Sequence, residues 1–311
     1  MIPPLVAFAI SSVTTSAGVT GAFLLLPFQV SILGFTSPAV SPTNLIYNIV
    51  AIPGGLYRYI KEGRMAWPLV LVVILATLPG VFAGALIRIK YFPDPRTFKF
   101  FVGLVLLYLG VRLLYETTGR YRKHRAQTRA IEQKFRERVN ALRNEAKTRL
   151  AAGLPVEAVV RTKHASLSRI EYEFWGESFS FSTFSVFTVA LVVGIVGGIY
   201  GIGGGAILAP FYVSILGLPI YTVAGAALAG TFLTSIAGVL FFHALALSPV
   251  AGQAALAPDW ALGTLFGIGG LLGTYVGARL QRFLADRLIR GILGTLVTCL
   301  AVWYVVQFII R

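Results

Sequence analysis

The sequence predicts an all-α polytopic membrane protein made of two homologous halves, related as an inverted repeat. Three observations predict it. Of 311 residues, 56% are hydrophobic and only 13% charged, where a soluble domain carries roughly 25% charged residues. The charges are also confined: no Lys, Arg, Asp or Glu precedes Arg58. Finally, the apolar blocks repeat. "LPFQVSILGF" (26–35) and "APFYVSILGL" (209–218) share Pro-Phe and Val-Ser-Ile-Leu-Gly.

The repeat extends well beyond that stretch. Gly18 and Gly21 fall opposite Gly201 and Gly204, Leu45 opposite Leu228, and Gly55 opposite Gly238. After extra residues in the loop "ALALSPVAGQAALAPDW", Trp67 aligns with Trp260, Gly80 with Gly273 and Gly84 with Gly277. Internal duplication is the usual build of secondary transporters. The chain divides into a first membrane repeat (1–115), a polar linker (116–180) and a second membrane repeat (181–311).

Each half holds five apolar segments. In the first they are 3–18, 22–34, 38–58, 67–87 and 97–115. In the second they are 181–200, 205–217, 219–243, 258–280 and 287–310. A spanning helix needs about 20 residues, so the second segment of each half is too short. It follows a glycine break, "GVTGAF" in one copy and "GIYGIGGGAILAPF" in the other. Each half thus carries a glycine-broken pair, re-entrant or discontinuous, plus three spanning helices. Non-helical backbone at that depth persists only where protein buries it or it lines a wet cavity.

The linker holds 14 Lys/Arg and 8 Asp/Glu, net +6 of the chain's +15, and the rest of the net charge lies in short loops between apolar segments. Basic flanks mark the cytoplasmic side, which places 116–180 in the cytoplasm. Ile131, Phe135, Val139, Leu142, Ala146 and Leu150 form one helical stripe. "AGLP" stops it, and Val156, Val159, Val160, Leu167, Ile170 and Phe174 continue with similar spacing. The linker therefore reads as a basic helical hairpin. It serves as a spacer or as a surface for a cytoplasmic partner or anionic lipid. Nucleic acid is not expected, because no base-stacking aromatics stand on a basic face.

Charge also orients the halves. Arg279, Arg282, Arg287 and Arg290 belong inside, and the uncharged loop 244–257 outside. The short second segment then returns to the side its predecessor came from, so the halves are inverted with both termini outside. The basic group Arg88, Lys90 and Arg96 falls outside on this topology, against the rule. The N-terminus lacks the basic region of a cleaved signal peptide. Multiple spans place the chain in the plasma (inner) membrane of the cell, in contact with its lipid bilayer.

Inversion gives the glycine breaks a purpose. Two hairpins from opposite faces would meet near the membrane midplane, each aiming a helix N-terminus at the meeting point. Such termini offer N–H donors and partial positive charge and hold anions. Glycine lets the backbone itself approach a ligand. The substrate-binding candidates are therefore Gly18, Thr20 and Gly21 at one break and Gly201, Gly203, Gly204 and Gly205 at the other. Thr43, Asn44, Tyr47 and Asn48 in "SPTNLIYNIVAIPGG" supply polar groups beside them, as do Thr231 and Ser235 in its copy. Close helix packing is the competing explanation for the glycines. No catalytic set, cofactor or metal site is expected. Cys299 is the single cysteine, and His243 has no partner at metal-ligand spacing. "GIGGGA" lacks the strand that a nucleotide loop needs.

The run Gly201-Ile-Gly-Gly-Gly205, Pro210, Ala224-Gly225 and Ser235-x-x-Gly238, with "PTNLIYNIVAIPGG" and "EGR" (62–64), resembles the TauE/SafE family of sulfite and organosulfonate exporters. The resemblance covers both apolar halves and not the linker. It implies a carrier that exports small sulfur-containing anions, sulfite or organosulfonates such as sulfoacetate. An anion channel, or a membrane-embedded signalling or enzyme subunit with the linker as output, stays open, as does a homo-oligomer.

Overall fold

The computed structural model describes residues 2–16, 20–61, 63, 65–118, 160–174, 177–205, 207–216, 218, 220–249, 255–280 and 286–310. The first half builds α1 (Ile2–Ser16), α2 (Ala22–Ser31), α3 (Val40–Ala51), α4 (Pro53–Lys61), α5 (Trp67–Tyr91) and α6 (Pro95–Glu116). The second builds α7 (Thr183–Tyr200), α8 (Leu208–Ile215), α9 (Ile220–Ala246), α10 (Trp260–Leu280) and α11 (Asp286–Ile310). Among the described residues, six helices are long and apolar enough to cross a membrane: α5, α6, α7, α9, α10 and α11.

The segment expected as one span over 38–58 is two helices. Pro53 lacks an N–H for the ladder, and the chain bends at Ile52 before α4 begins. Its counterpart α9 has no proline inside and runs unbroken.

The halves exchange their helices. α1 packs along α10, and α7, its counterpart in the repeat, packs along α5, the counterpart of α10. Both pairs are parallel: Gly269, Gly273 and Gly277 meet Pro4, Phe8 and Ser12, while Gly194 and Gly198 meet Thr77 and Val81. These seams are close because a Cβ at any of these glycines would run into the facing backbone, the small-residue packing that membrane helices use in place of a hydrophobic drive.

Equivalent helices that touch are antiparallel. On α6 and α11, Gly103 faces Tyr304, Gly110 faces Thr298 and Gly294 faces Leu113. On α3 and α9, Leu45 faces Gly238 and Asn48 bonds Ser235. α6 and α11 are further joined at one end by Glu116, which accepts from Arg112 on its own helix at 3.3 Å and from Arg290 at 2.5 Å.

The linker corrects the expectation of a second helix. Three strands form an antiparallel sheet, β1 (Arg161–Ala165), β2 (Arg169–Phe174) and β3 (Glu177–Ser182), in that order. The reason is visible in β2, where Ile170, Tyr172 and Phe174 are buried and alternate with Arg169, Glu171 and Glu173. A period of two suits a half-buried strand. Tyr172 stacks on Phe179 and hydrogen-bonds Thr222 at the start of α9 (2.8 Å). Burial pushes the Tyr172 hydroxyl well above its usual pKa, so it stays protonated there. Val160 N–H donates to Gly63 O, and β3 runs directly into α7, whose first turn is capped by Ser182. The sheet is thereby fixed to the end where α4 stops and α7 and α9 start. The first expected arm, 131–150, and Val156 and Val159 lie outside the described residues.

Arg88 needs a second correction. It is not a loop residue but part of α5, and it is fully buried. Lys90 closes the same helix, and Arg96 stands in the first turn of α6 with its guanidinium over the Phe308 ring.

The glycine seams give a direct test. Gly84→Leu must push α5 from α7 and should cost about 3 kcal/mol, seen as a lower unfolding midpoint in detergent. Gly291, where an added Cβ would meet nothing within 4 Å, should accept leucine within about 0.5 kcal/mol.

Candidate anion site at two glycine turns

The second glycine turn is built by backbone shape and by crowding. Gly201 closes α7 with φ +84°, its N–H bonded to Gly197 O, and Gly203 has φ +78°. Side chains rarely tolerate this left-handed region. Gly205 lies against Ala227 O, and Gly204 against Thr77. The turn is thus wedged between α9 and α5, and α8 starts beyond it at Leu208.

One face of α3 holds this turn. Ser41, Asn44 and Asn48 recur at three and four residues. Ser41 Oγ donates to Ile199 O (3.1 Å), Asn44 Nδ2 to Gly201 O (2.9 Å) and Asn48 Nδ2 to Ile202 O (2.9 Å). Asn48 Nδ2 also reaches Ser235 Oγ on α9 (3.3 Å). From α9, Thr234 Oγ1 accepts from Gly204 N–H (3.0 Å), and Thr231 stands against Gly203 and Gly205 while donating to Ala227 O.

The first glycine turn reaches the same face. Asn44 Nδ2 donates to Ala22 O at 3.0 Å while also holding Gly201 O. A single amide nitrogen therefore ties both turns, and its Oδ1 accepts from Gln29 Nε2 (3.2 Å). Thr20 Oγ1 accepts from Ala22 N–H (3.2 Å). Gly21 is crowded by Tyr47 Oη and Ser11 Oγ, which bond each other at 2.8 Å. Gly18 lies outside the described residues.

The structure divides the sequence candidates in two. Asn44, Asn48, Gly201, Gly203, Gly204, Gly205, Thr231 and Ser235 converge on the second turn. Thr20, Gly21 and Tyr47 gather at the first. Thr43 joins neither. It faces α10, donating to Ala39 O and accepting from Asp259 N–H (2.9 Å). Thr43 and Tyr47 lie along α10, whereas Asn48 turns away toward α9.

Several contributors do not stand out in the sequence reading. Ser41 precedes Asn44 by one turn, and Gln29 is the one amide in the apolar helix α2. Both carry a readable signal, one as spacing and one as polarity out of place. Thr77, a lone hydroxyl in the apolar stretch 68–87 of α5, carries none.

Chemically, the centre is neutral. Hydroxyls and amides surround backbone, and the contacts above include no ionised side chain. Gln29 Oε1 and Asn48 Oδ1 are buried without a partner. Thr234 Oγ1 and Thr20 Oγ1 each occupy a position, against a turn N–H, that the oxygen of an anion could take.

Asn44→Leu strands two buried carbonyls, and each such loss costs about 1–3 kcal/mol. Stability should fall by about 3 kcal/mol, and flux by more than tenfold. Thr43→Val, on the α10 side, should change flux by less than twofold. Flux in vesicles paired with unfolding midpoints checks both.

Among curated proteins, and among solved structures, none matches the chain significantly. A family model does: that of the Sulfite exporter TauE/SafE, over residues 4–304. The match runs through both halves, including both glycine turns and the face of α3 that joins them. The chain belongs to the TauE/SafE family of membrane sulfite exporters.

Proposed function

We propose that the protein exports small sulfur oxyanions, sulfite or an organosulfonate such as sulfoacetate, and holds them where the two glycine turns meet. One observation carries this reading. Asn44 bonds the Ala22 carbonyl of one turn and the Gly201 carbonyl of the other through the same nitrogen. α2 begins at Ala22 itself, and α8 begins at Leu208, seven residues past Gly201. The N-termini of these two helices give an anion partial positive charge. Neither needs a lysine or arginine. In this reading an oxyanion oxygen replaces the Thr234 hydroxyl on Gly204 N–H.

The helix directions support an inverted repeat. A two-fold axis along the membrane normal would leave equivalent spanning helices parallel. α6 and α11 are equivalent in the repeat and antiparallel in their contacts. An axis in the membrane plane produces that. α3 runs parallel to α10, as α1 does, so α2 must return toward the side where α1 began. The first pair is then a re-entrant hairpin from outside. By the same logic α7 and α8 form one from inside, and the linker with its sheet is cytoplasmic. Arg88 lies within α5 rather than in the outer loop, which leaves Lys90 and Arg96 as the flanking charges set against this topology.

The described spans carry Asp and Glu only at their ends, as in Glu116 and Asp286, and a histidine only in the last turn of α9, His243. Proton-coupled carriers usually place a carboxylate or histidine within the membrane. Export therefore follows the substrate's own electrochemical gradient. An inside-negative potential drives anion exit by about 2.3 kcal/mol per charge per 100 mV.

Two measurements test these readings. In proteoliposomes with clamped voltage, a permanently charged sulfonate should move with voltage and not with a pH gradient alone. Concentrative movement powered by pH against voltage would overturn the uncoupled reading. Single cysteines in the linker and at position 252, in a Cys299→Ser background, should label from opposite sides. Labelling from the same side would overturn the inverted topology.

A further inference from the structure

Arg88 stands near the C-terminal end of α5 on the same buried stripe as Thr77, Val81 and Gly84. Eleven residues separate it from Thr77, about three turns of helix. Thr77 touches the second glycine turn, so this stripe leads from the turn toward the end of the span. The side chain is 0% exposed. Phe98 of α6 covers one guanidinium face at 3.7 Å, and Nη1 donates to Phe92 O.

The remaining edge is unused. Nε and Nη2 are both buried and without a hydrogen-bond partner. Among the described residues, no carboxylate forms an ion pair with Arg88. Asp94, the acid next along the chain, is engaged in capping α6 through Arg96 N–H and Thr97 N–H. An arginine stays charged, and a buried charge without a counter-charge is costly. Intramembrane charges by default mark ion or substrate paths.

The geometry points to an oxyanion-binding station at Arg88. Nε–H and Nη2–H leave the same edge of the guanidinium in parallel, and that edge accepts two oxygens of one oxyanion in a bidentate fork. The occupant has at least two oxygens on one central atom, which sulfite and sulfonates have and chloride lacks. The proposal rests on the exporter reading and adds to it. It places a second, charged stop three turns beyond the neutral centre, at the outer end of α5. There the arginine draws the anion out of the glycine turns and releases it to the exterior.

The test uses the full chain, with sulfite as probe. In proteoliposomes, Arg88→Lys keeps a charge but loses the fork, and should raise half-saturation for sulfite at least tenfold. Arg88→Met, apolar and of similar length, should raise it further. A folded Lys variant with wild-type half-saturation would overturn the station while leaving the exporter reading intact. Wild-type vesicles that carry no sulfur oxyanion would overturn the exporter reading instead. Hydrogen exchange on the wild-type protein judges the edge without relying on any variant. Sulfite should slow exchange in peptides covering 85–101 at least threefold relative to chloride at equal ionic strength. No difference between the two anions would overturn the proposal. So would protection by a short-chain anionic phospholipid but not by sulfite, which would assign the edge to a lipid headgroup.

Discussion

Backbone that leaves the helix inside a membrane must have its carbonyls satisfied by protein, and this fold depends on how that is done. Bilayer hydrocarbon offers no hydrogen-bond donor. Here the donors come from one face of one short helix. Ser41, Asn44 and Asn48 give their hydrogens to Ile199, Gly201 and Ile202, and Asn44 also serves Ala22. Remove that face and the turns lose their common anchor. Keep it, and stretches from the two halves of the chain are held together by uncharged side chains.

Glycine does two kinds of work around this anchor. At Gly201 and Gly203 it supplies a left-handed backbone. Along α1–α10 and α5–α7 it lets helices approach until backbone meets backbone. The second use explains why glycine-rich seams link the halves to each other. Since α1 leans on α10 and α7 on α5, neither half can bury its own first helix by itself. These seams bind the two halves to each other.

Charge is kept at the margins, with one exception. Glu116 gathers Arg112 and Arg290 at one end of α6 and α11. The sheet of the linker, tied by Tyr172 to Thr222, covers the end where α7 and α9 begin. Arg88 is the exception, a buried cation whose free edge faces no acid. In the proposed export reading, a neutral centre followed by Arg88 would give an anion a graded path: weakly held dipoles first, then a full charge.

Membrane class, a mostly helical fold and the repeated motifs of the two halves are legible in the sequence. They follow from composition, periodicity and repetition, which are properties of neighbouring residues. Asn44 and Asn48 are legible too, because amides in an apolar segment stand out. Which groups those amides meet depends on tertiary packing, since 157 residues separate Asn44 from Gly201. Packing likewise sets Thr43 against α10, makes the end of the linker a sheet, and buries Arg88. The alternation of Ile170, Tyr172 and Phe174 is present in the sequence, but the same residues also fit a helical spacing. Contacts with Thr222 and Phe179 settle the period. Arg88 reads as a loop charge because its cover includes Phe98 of the next helix, across a turn. Burial of that kind is a sum over distant partners, and no local pattern encodes it.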